Sequence, residues 1–387
     1  MFYLHMNAIV GLAGMIAALM LTRRWPSNKR VLLLLFNLGF LYVFSQKLFV
    51  FNVLYVAGNY ALFLLLCRIA RFRLAAFVAA IAANIGAVTV MRLYGMGTLQ
   101  SPLFDVVITL GLIYNVLKVI DALYFAYFFK RDGEAGALDY ANYILFIPTF
   151  TSGPILKFRD FMADTKKPYQ VDAPLFEDSV KRIILGLFKK MVLVPGMSYV
   201  FQLVNDPAGG PLHTHESLFL MVWFYLWIYL DFSGYSDIAI GFGRLLGYTM
   251  PENFKKPFTS PSLTQFWRNW HVTLGDWFRD HIFIFFSRRT PSRLTAAGLS
   301  LLIMLLMGLW HGFTWLYVLY GLYHGVIIAL ESYFELSTVN KKKVSVPYYA
   351  FRVALTQLLV IFGVIVYSGD SATVLRIYEG LLRLPSF

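Results

Sequence analysis

Two of the seven histidines in this 387-residue chain stand where imidazole chemistry would be sheltered from water. His311 interrupts the apolar run MGLWHGFTWLYVLYGLYHG (307–325), about where a bilayer span would lie. Burial there favours the neutral imidazole, and a neutral histidine is a competent general base. Gly308 and Gly312 straddle it at four-residue spacing, which lets another backbone or a substrate chain pass closely. For an arbitrary membrane histidine, packing or hydrogen bonding is the commoner role. His324 keeps that role, because 13 positions at about 100° each put it on a different helix face from His311. His271 lies in PENFKKPFTSPSLTQFWRNWHVTLGDWFRDHIF (251–283), among Trp267, Trp270, Trp277, Arg268, Arg279, Asp280 and His281. Mixed aromatic and basic residues suit a helix at the bilayer interface. Chemistry there requires His271 to turn inward.

A third polar group sits in YLDFSGYSDIAIGFGRLLG (229–247), where Asp231, Ser233, Ser236, Asp237 and Arg244 share an apolar context. Acids inside a membrane are costly and face a cavity or a partner. An Asp–Arg pair locking two helices accounts for them as well as a substrate site does. Lys118 and Asp121, three apart, read as an internal ion pair. Two motif-like stretches carry no chemistry. GFGRLLG (241–247) has G-x-G-x-x-x-G spacing without a preceding strand, so Gly243 and Gly247 read as a helix-packing face. GDS (369–371) ends a span instead of following a strand, and neither H-E-x-x-H nor G-x-S-x-G occurs.

The elements that must position these residues are membrane helices. The chain is 58% hydrophobic, 18% aromatic and 14% charged, with a mean hydropathy of +0.62. That composition excludes an ordinary soluble domain and a disordered chain. With roughly 20 apolar residues needed per span, spans fall near 4–22, 31–46, 48–67, 74–91, 103–129, 138–155, 179–203, 217–230, 294–310, 314–334 and 347–368. Shorter re-entrant or interfacial pieces fall near 231–247 and 269–286. The reading is an all-α polytopic membrane protein of about eleven transmembrane helices, with 1–387 as a single integral-membrane domain.

The net charge of +13 is first of all cytoplasmic loop charge, ahead of any nucleic acid. Basic residues crowd the loops at 23–30, at Arg68, Arg71 and Arg73, and at Lys130 and Arg131, while the intervening loops hold one each. This alternation predicts a multi-pass protein with its N-terminus outside. The first apolar run has no basic residue before it and reads as a retained span, not a cleaved leader. The stretch 157–178 reads as a cytoplasmic loop or surface helix. Cys67 is the only cysteine, so no disulfide framework or cysteine metal cluster can form.

The blocks IPTFTSGPI (147–155), DFSGYSDIAIGFGRLLG (231–247), ENFKKPF (252–258), FWRNWHVTLGDWFRD (266–280) and MGLWHGFTW (307–315), taken in this order, resemble the membrane-bound O-acyltransferase (MBOAT) family. SGPI, NFKKPF and MGLWHGFTWLYVLYGLYHG are most similar to its branch that D-alanylates teichoic acid. Alginate and peptidoglycan O-acetyltransferases share DFSGYSD and WFRD.

The resemblance implies a bacterial plasma-membrane enzyme that moves D-alanine from a carrier-protein thioester to a hydroxyl of an extracytoplasmic polymer, teichoic acid or a similar cell-envelope glycan. It implies catalytic roles for His311, as general base, and His271. It implies substrate-binding roles for Trp310, Asn269, Trp270, Asp237, Ser236 and Ser152. The donor would ride on the phosphopantetheine of an acidic D-alanyl carrier protein, with an accessory membrane-anchored envelope protein and a small single-span peptide as further partners. No metal, nucleic acid or permanently bound cofactor is implied. O-acetylation from acetyl-CoA is the close alternative. A transporter or flippase, lined by the same Asp, Arg and His residues, is the alternative of another class.

Overall fold

Backbone groups inside a bilayer must find their hydrogen bonds within their own segment, and the apolar runs accordingly fold as helices. The computed structural model describes residues 6–23, 26–96, 112–129, 135–287 and 291–383. Among these the regular structure is all helical, apart from one isolated antiparallel bridge between Phe254 and Trp270. Seven of the helices are long and apolar enough to cross a membrane: Gln46–Arg68, Arg73–Gly95, Leu112–Phe129, Ala173–Gly209, Thr214–Leu245, Arg293–His311 and Val346–Ser368. Met6–Leu21, Pro26–Phe44 and Trp315–Tyr333 are further helices of 16 to 19 residues. Large apolar side chains such as Leu54, Val78 and Leu358 are more than half exposed, a surface that lipid covers. The protein is an all-α polytopic membrane protein.

Several segments differ from their sequence reading. The stretch 138–155 is a nine-residue helix, Ala137–Leu145, then a 3₁₀ turn, Ile147–Thr149, and a bend at Gly153 with φ +106°. Pro148 and Pro154 supply no N–H to a helical ladder and push the preceding residue out of helical geometry. The piece 231–247 is no separate re-entrant element: most of it is the C-terminal part of the 32-residue helix Thr214–Leu245. The piece 269–286 holds two short helices, Val272–Phe278 and Ile284–Ser287, joined through a π turn at Arg279–Phe283. The start of the expected fifth span before residue 112, Arg24, Lys130 and Arg131 lie outside the described residues.

The chain divides into two compact units, Met1–Ile184 with Asp237–Pro251, and Leu185–Ser236 with Glu252–Phe387. In the first, buried Tyr140, Tyr143, Phe146, Phe158, Phe161 and Tyr248 form one aromatic cluster. Polar groups that cross it are paired, as burial demands. Arg30 forms an ion pair with Asp139. Lys29, 2% exposed, donates to the carbonyls of Asp164 and Gly247, each at 2.9 Å, and lies over the Tyr248 ring at 4.3 Å. Gly247, with φ +82°, ends the helix there. A chain of amides joins two spans, Asn84 donating to Asn59 at 2.8 Å and accepting from Tyr55 at 2.7 Å. Lys118 and Asp121 do not form the expected pair. Lys118 donates to the Ile144 carbonyl, and Asp121 accepts from the Tyr143 hydroxyl and the Phe158 amide.

The second unit is built on the hairpin of Arg293–His311 and Trp315–Tyr333. Its helices meet over glycine. A Cβ on Gly308 would strike the Tyr317 carbonyl oxygen, and one on Gly321 would lie 2.6 Å from that of Met304. Small residues of this kind let two backbones touch. The close backbone that the glycine spacing announces is thus the hairpin's own returning helix. Asp370 caps the last helix, Ser371–Leu381, accepting from the amides of Ala372 and Thr373 at 3.2 Å, so the GDS triplet is a helix start.

Candidate active site

His311 occupies the last position of its helix, and Gly312, with extended backbone, turns the chain toward the N-cap Thr314 of the returning helix. The imidazole is framed by aromatic rings. Trp310 stands 4.8 Å away at 72°, Tyr317 6.2 Å at 27°, and Tyr367 4.8 Å at 85°. The Tyr367 hydroxyl lies 3.3 Å from Nδ1 of His311.

His271 reaches the same place by a different route. Its backbone is left-handed, with φ +47° and ψ +48°, and it forms the N-cap of Val272–Phe278, its carbonyl accepting from Leu274 and Gly275. Among residues other than glycine this conformation is uncommon. The ENFKKPF block holds it in place. The Phe254–Trp270 bridge, Lys255 N–H to Asn269 carbonyl at 2.9 Å, and Val272 N–H to Asn253 carbonyl at 3.0 Å bind that block to WRNWH. The Asn253 side chain accepts from the Thr273 hydroxyl at 2.8 Å and amide at 3.3 Å, and donates to Ser236 Oγ at 3.3 Å. The loop therefore turns the His271 ring inward, 97% buried, edge-on to Phe232 at 4.4 Å and 6.0 Å from Trp310. Its Nε2 has no hydrogen-bond partner among the described residues. Burial pushes its pKa well down, and nearby His311 opposes a second positive charge, so it is neutral.

The structure thus brings His311, His271 and Trp310 together, with the indole touching both imidazoles. Trp270 and Asn269 flank His271 in the chain but belong to its support. Trp270 packs on Phe254 and Phe266, and Asn269 donates to Ser260 at 3.0 Å. Ser236 accepts from Asn253. Asp237 and Ser152 lie in the first compact unit. Asp237 accepts from Arg182 at 3.0 Å, and Ser152 lies in the bend before Gly153. An Asp–Arg helix lock does exist, with Arg182 in the role that sequence proximity suggested for Arg244. Asp231 pairs with Lys190, which lies in a π turn of the helix Ala173–Gly209. His324, 1% exposed, packs against Trp267, Tyr320 and Tyr323.

Sequence reasoning missed Tyr367, Phe232 and the anchoring role of Asn253. Asn253 had a signal, since its block recurs beside WRNWH. Tyr367 had none, being one tyrosine in an apolar run.

A cavity of about 190 Å³ has a lining that includes Trp267, Arg268, Val272, Arg279, Met304 and Met307. Val272 adjoins His271 in the chain, and Met307 lies one helical turn before His311 on the same face. Its apolar wall carries the Arg268 guanidinium and an Arg279–Asp276 ion pair at 2.8 Å, so it suits a narrow, flexible molecule whose anionic group meets Arg268. Among the described residues no group of three or more His, Cys, Asp or Glu could hold a metal ion.

Residues 129–338 match the MBOAT, membrane-bound O-acyltransferase family. The chain belongs to this family. Its MBOAT relatives divide by substrate. The chain is 31% identical over 280 residues to the probable alginate O-acetylase AlgI of Pseudomonas syringae pv. tomato, covering 71% of this chain and 52% of the relative. It is 32% identical over 240 residues to the teichoic acid D-alanyltransferase of Bacillus subtilis, covering 59% and 60%. It is 29% identical over 208 residues to the peptidoglycan O-acetyltransferase of Helicobacter pylori, covering 52% and 38%. The chain spans about half the length of most of these curated relatives.

Proposed function

We propose that this MBOAT chain transfers a D-alanyl group from a carrier-protein thioester to a hydroxyl of an extracytoplasmic cell-envelope polymer, with His311 as general base. The observation that carries this reading is the pair of imidazoles, His271 buried and His311 half-buried, that share Trp310. In the transfer step Nε2 of His311 takes the proton of the acceptor hydroxyl as that oxygen attacks the thioester carbonyl. The carbon–sulfur bond then breaks, the ester is released, and the departing thiolate recovers the proton from the imidazolium. A positioned base contributes typically ~10²–10⁴-fold. Neutral His271, with its unpartnered Nε2, suits a donor to the oxyanion that forms on the carbonyl oxygen. Arg268 suits the phosphate of a phosphopantetheine arm, and the apolar wall suits its chain. An acidic carrier would be steered by the basic surplus of +13.

A second reading, O-acetylation from an acetyl thioester such as acetyl-CoA, draws support from the alginate O-acetylase match, which covers more of the chain than the D-alanyl match. Both readings use the same histidines. The test is transfer of labelled D-alanine from its carrier protein in proteoliposomes, wild type against His311→Ala. Label that leaves the carrier only with wild type supports the D-alanyl reading. Transfer only from an acetyl donor moves the substrate to acetate, and equal rates with His311→Ala refute the histidine mechanism.

A further inference from the structure

A histidine that is to take a proton at Nε2 must carry its own proton on Nδ1, and the group facing Nδ1 decides whether it does. In this protein the Tyr367 hydroxyl lies 3.3 Å from Nδ1 of His311. Tyr367 sits in the 3₁₀ turn Ile365–Ser368 that ends the last span, followed by Gly369 at φ +71°. Its ring is held between Tyr317 at 5.9 Å and Tyr320 at 5.6 Å. The Tyr317 hydroxyl would lie 3.0 Å from a Cβ on Gly369, so the turn closes tightly behind Tyr367. The phenol is therefore a fixed partner.

A phenol both donates and accepts. The direction here follows from the role of His311. An imidazole that acts as base at Nε2 carries its proton on Nδ1, and a phenol facing that atom accepts it.

We propose that Tyr367 is a positioning residue for acyl transfer, accepting the Nδ1–H of His311 and so holding the tautomer that carries its lone pair on Nε2. The inference rests on the reading of His311 as the base. The Nδ1 proton stays in place through the cycle, while the acceptor's proton passes to Nε2 and then to the departing thiolate. Tyr367 gains and loses no atom.

Tyr367→Phe removes one oxygen and keeps the ring packing. Full-length protein in proteoliposomes, assayed with the donor that wild type uses, is compared with Tyr320→Phe, a neighbouring phenol that does not touch His311, and with His311→Ala. The expected result is a fall in kcat of roughly ten-fold for Tyr367→Phe, the worth of one orienting hydrogen bond. Donor KM stays within about two-fold, because substrate binding is untouched. Tyr320→Phe and the thermal unfolding of Tyr367→Phe stay at wild-type values. A Tyr367→Phe kcat equal to wild type overturns the inference. So does a loss shared equally by Tyr320→Phe, or a loss that appears in KM, since either marks a packing role. His311→Ala at full activity would instead remove the reading underneath. A dead His311→Ala beside a fully active Tyr367→Phe removes the tyrosine's role alone.

Discussion

Replacing Arg182 with methionine leaves the Asp237 carboxylate, 12% exposed, without the guanidinium 3.0 Å away. At that separation, with an effective dielectric constant of about 20, the Coulomb attraction is about 5 kcal/mol, and desolvation of both ions offsets a large part of it. Breaking the pair from one side forfeits the attraction while the carboxylate keeps its own burial cost, so Arg182→Met should cost about 3 kcal/mol. Removing both charges, in Arg182→Met with Asp237→Leu, should recover most of that, because neither ion is then buried. Thermal unfolding of purified protein in detergent measures the stability. Transfer from the labelled donor in proteoliposomes measures activity on the same preparations. If Asp237 serves to lock its helix, the double variant recovers stability and rate together. A double variant as stable as wild type but as inactive as a substrate-site mutant would refute this and make Asp237 a substrate ligand. A single variant of undiminished stability would refute the energetic argument itself.

Gly321→Ala places a methyl 2.6 Å from the Met304 carbonyl oxygen, and should destabilise by about 1–3 kcal/mol; transfer should slow with it, because that hairpin carries His311. Asn253→Ala removes the oxygen that accepts from the buried Thr273 hydroxyl and amide, at about 1–3 kcal/mol for the lost buried hydrogen bonds, and should lower kcat by displacing His271. Asp370→Ala removes a helix N-cap, for about 1 kcal/mol of unfolding stability with the transfer rate unchanged. Burial alone would raise the Asp164 carboxyl, but the Lys167 ammonium and the Thr249 amide outweigh it and hold it below the usual carboxylate range. That stabilisation is present above the ordinary value of 3.8 and is lost as the carboxylate protonates at lower pH. The stability gap between wild type and Asp164→Asn should therefore close as pH falls through this range in a detergent unfolding series.

His311 and its neighbourhood were legible because each signal was local. An imidazole within an apolar run, glycines four apart and a helix-length segment are all readable in one stretch of chain. His271 was legible as a candidate but not in its direction. The inward turn depends on a left-handed backbone fixed by Asn253, 18 positions earlier, and no periodicity encodes it. The Asp237 partner shows the same limit. Arg244 shares its helix and was the nearer choice, yet Arg182 on another helix makes the bond. Tyr367 lay beyond reach, because its distance to His311 comes from the packing of the last span and not from any motif. The expected span at 138–155 failed for a local reason that hydropathy does not weigh, two prolines within seven residues.

Glu331, near the end of the helix Trp315–Tyr333, accepts from the Leu263 amide, the Thr264 amide and the Thr264 hydroxyl, at 2.7 to 2.8 Å. It thus ties the foot of the hairpin that bears His311 to the start of the segment that bears His271. Trp310 joins the two segments again at the histidines. The two segments are thus fastened to each other at two places, at Glu331 and at Trp310. A disturbance at Glu331, far along the hairpin from His311, therefore reaches both imidazoles together and not one alone.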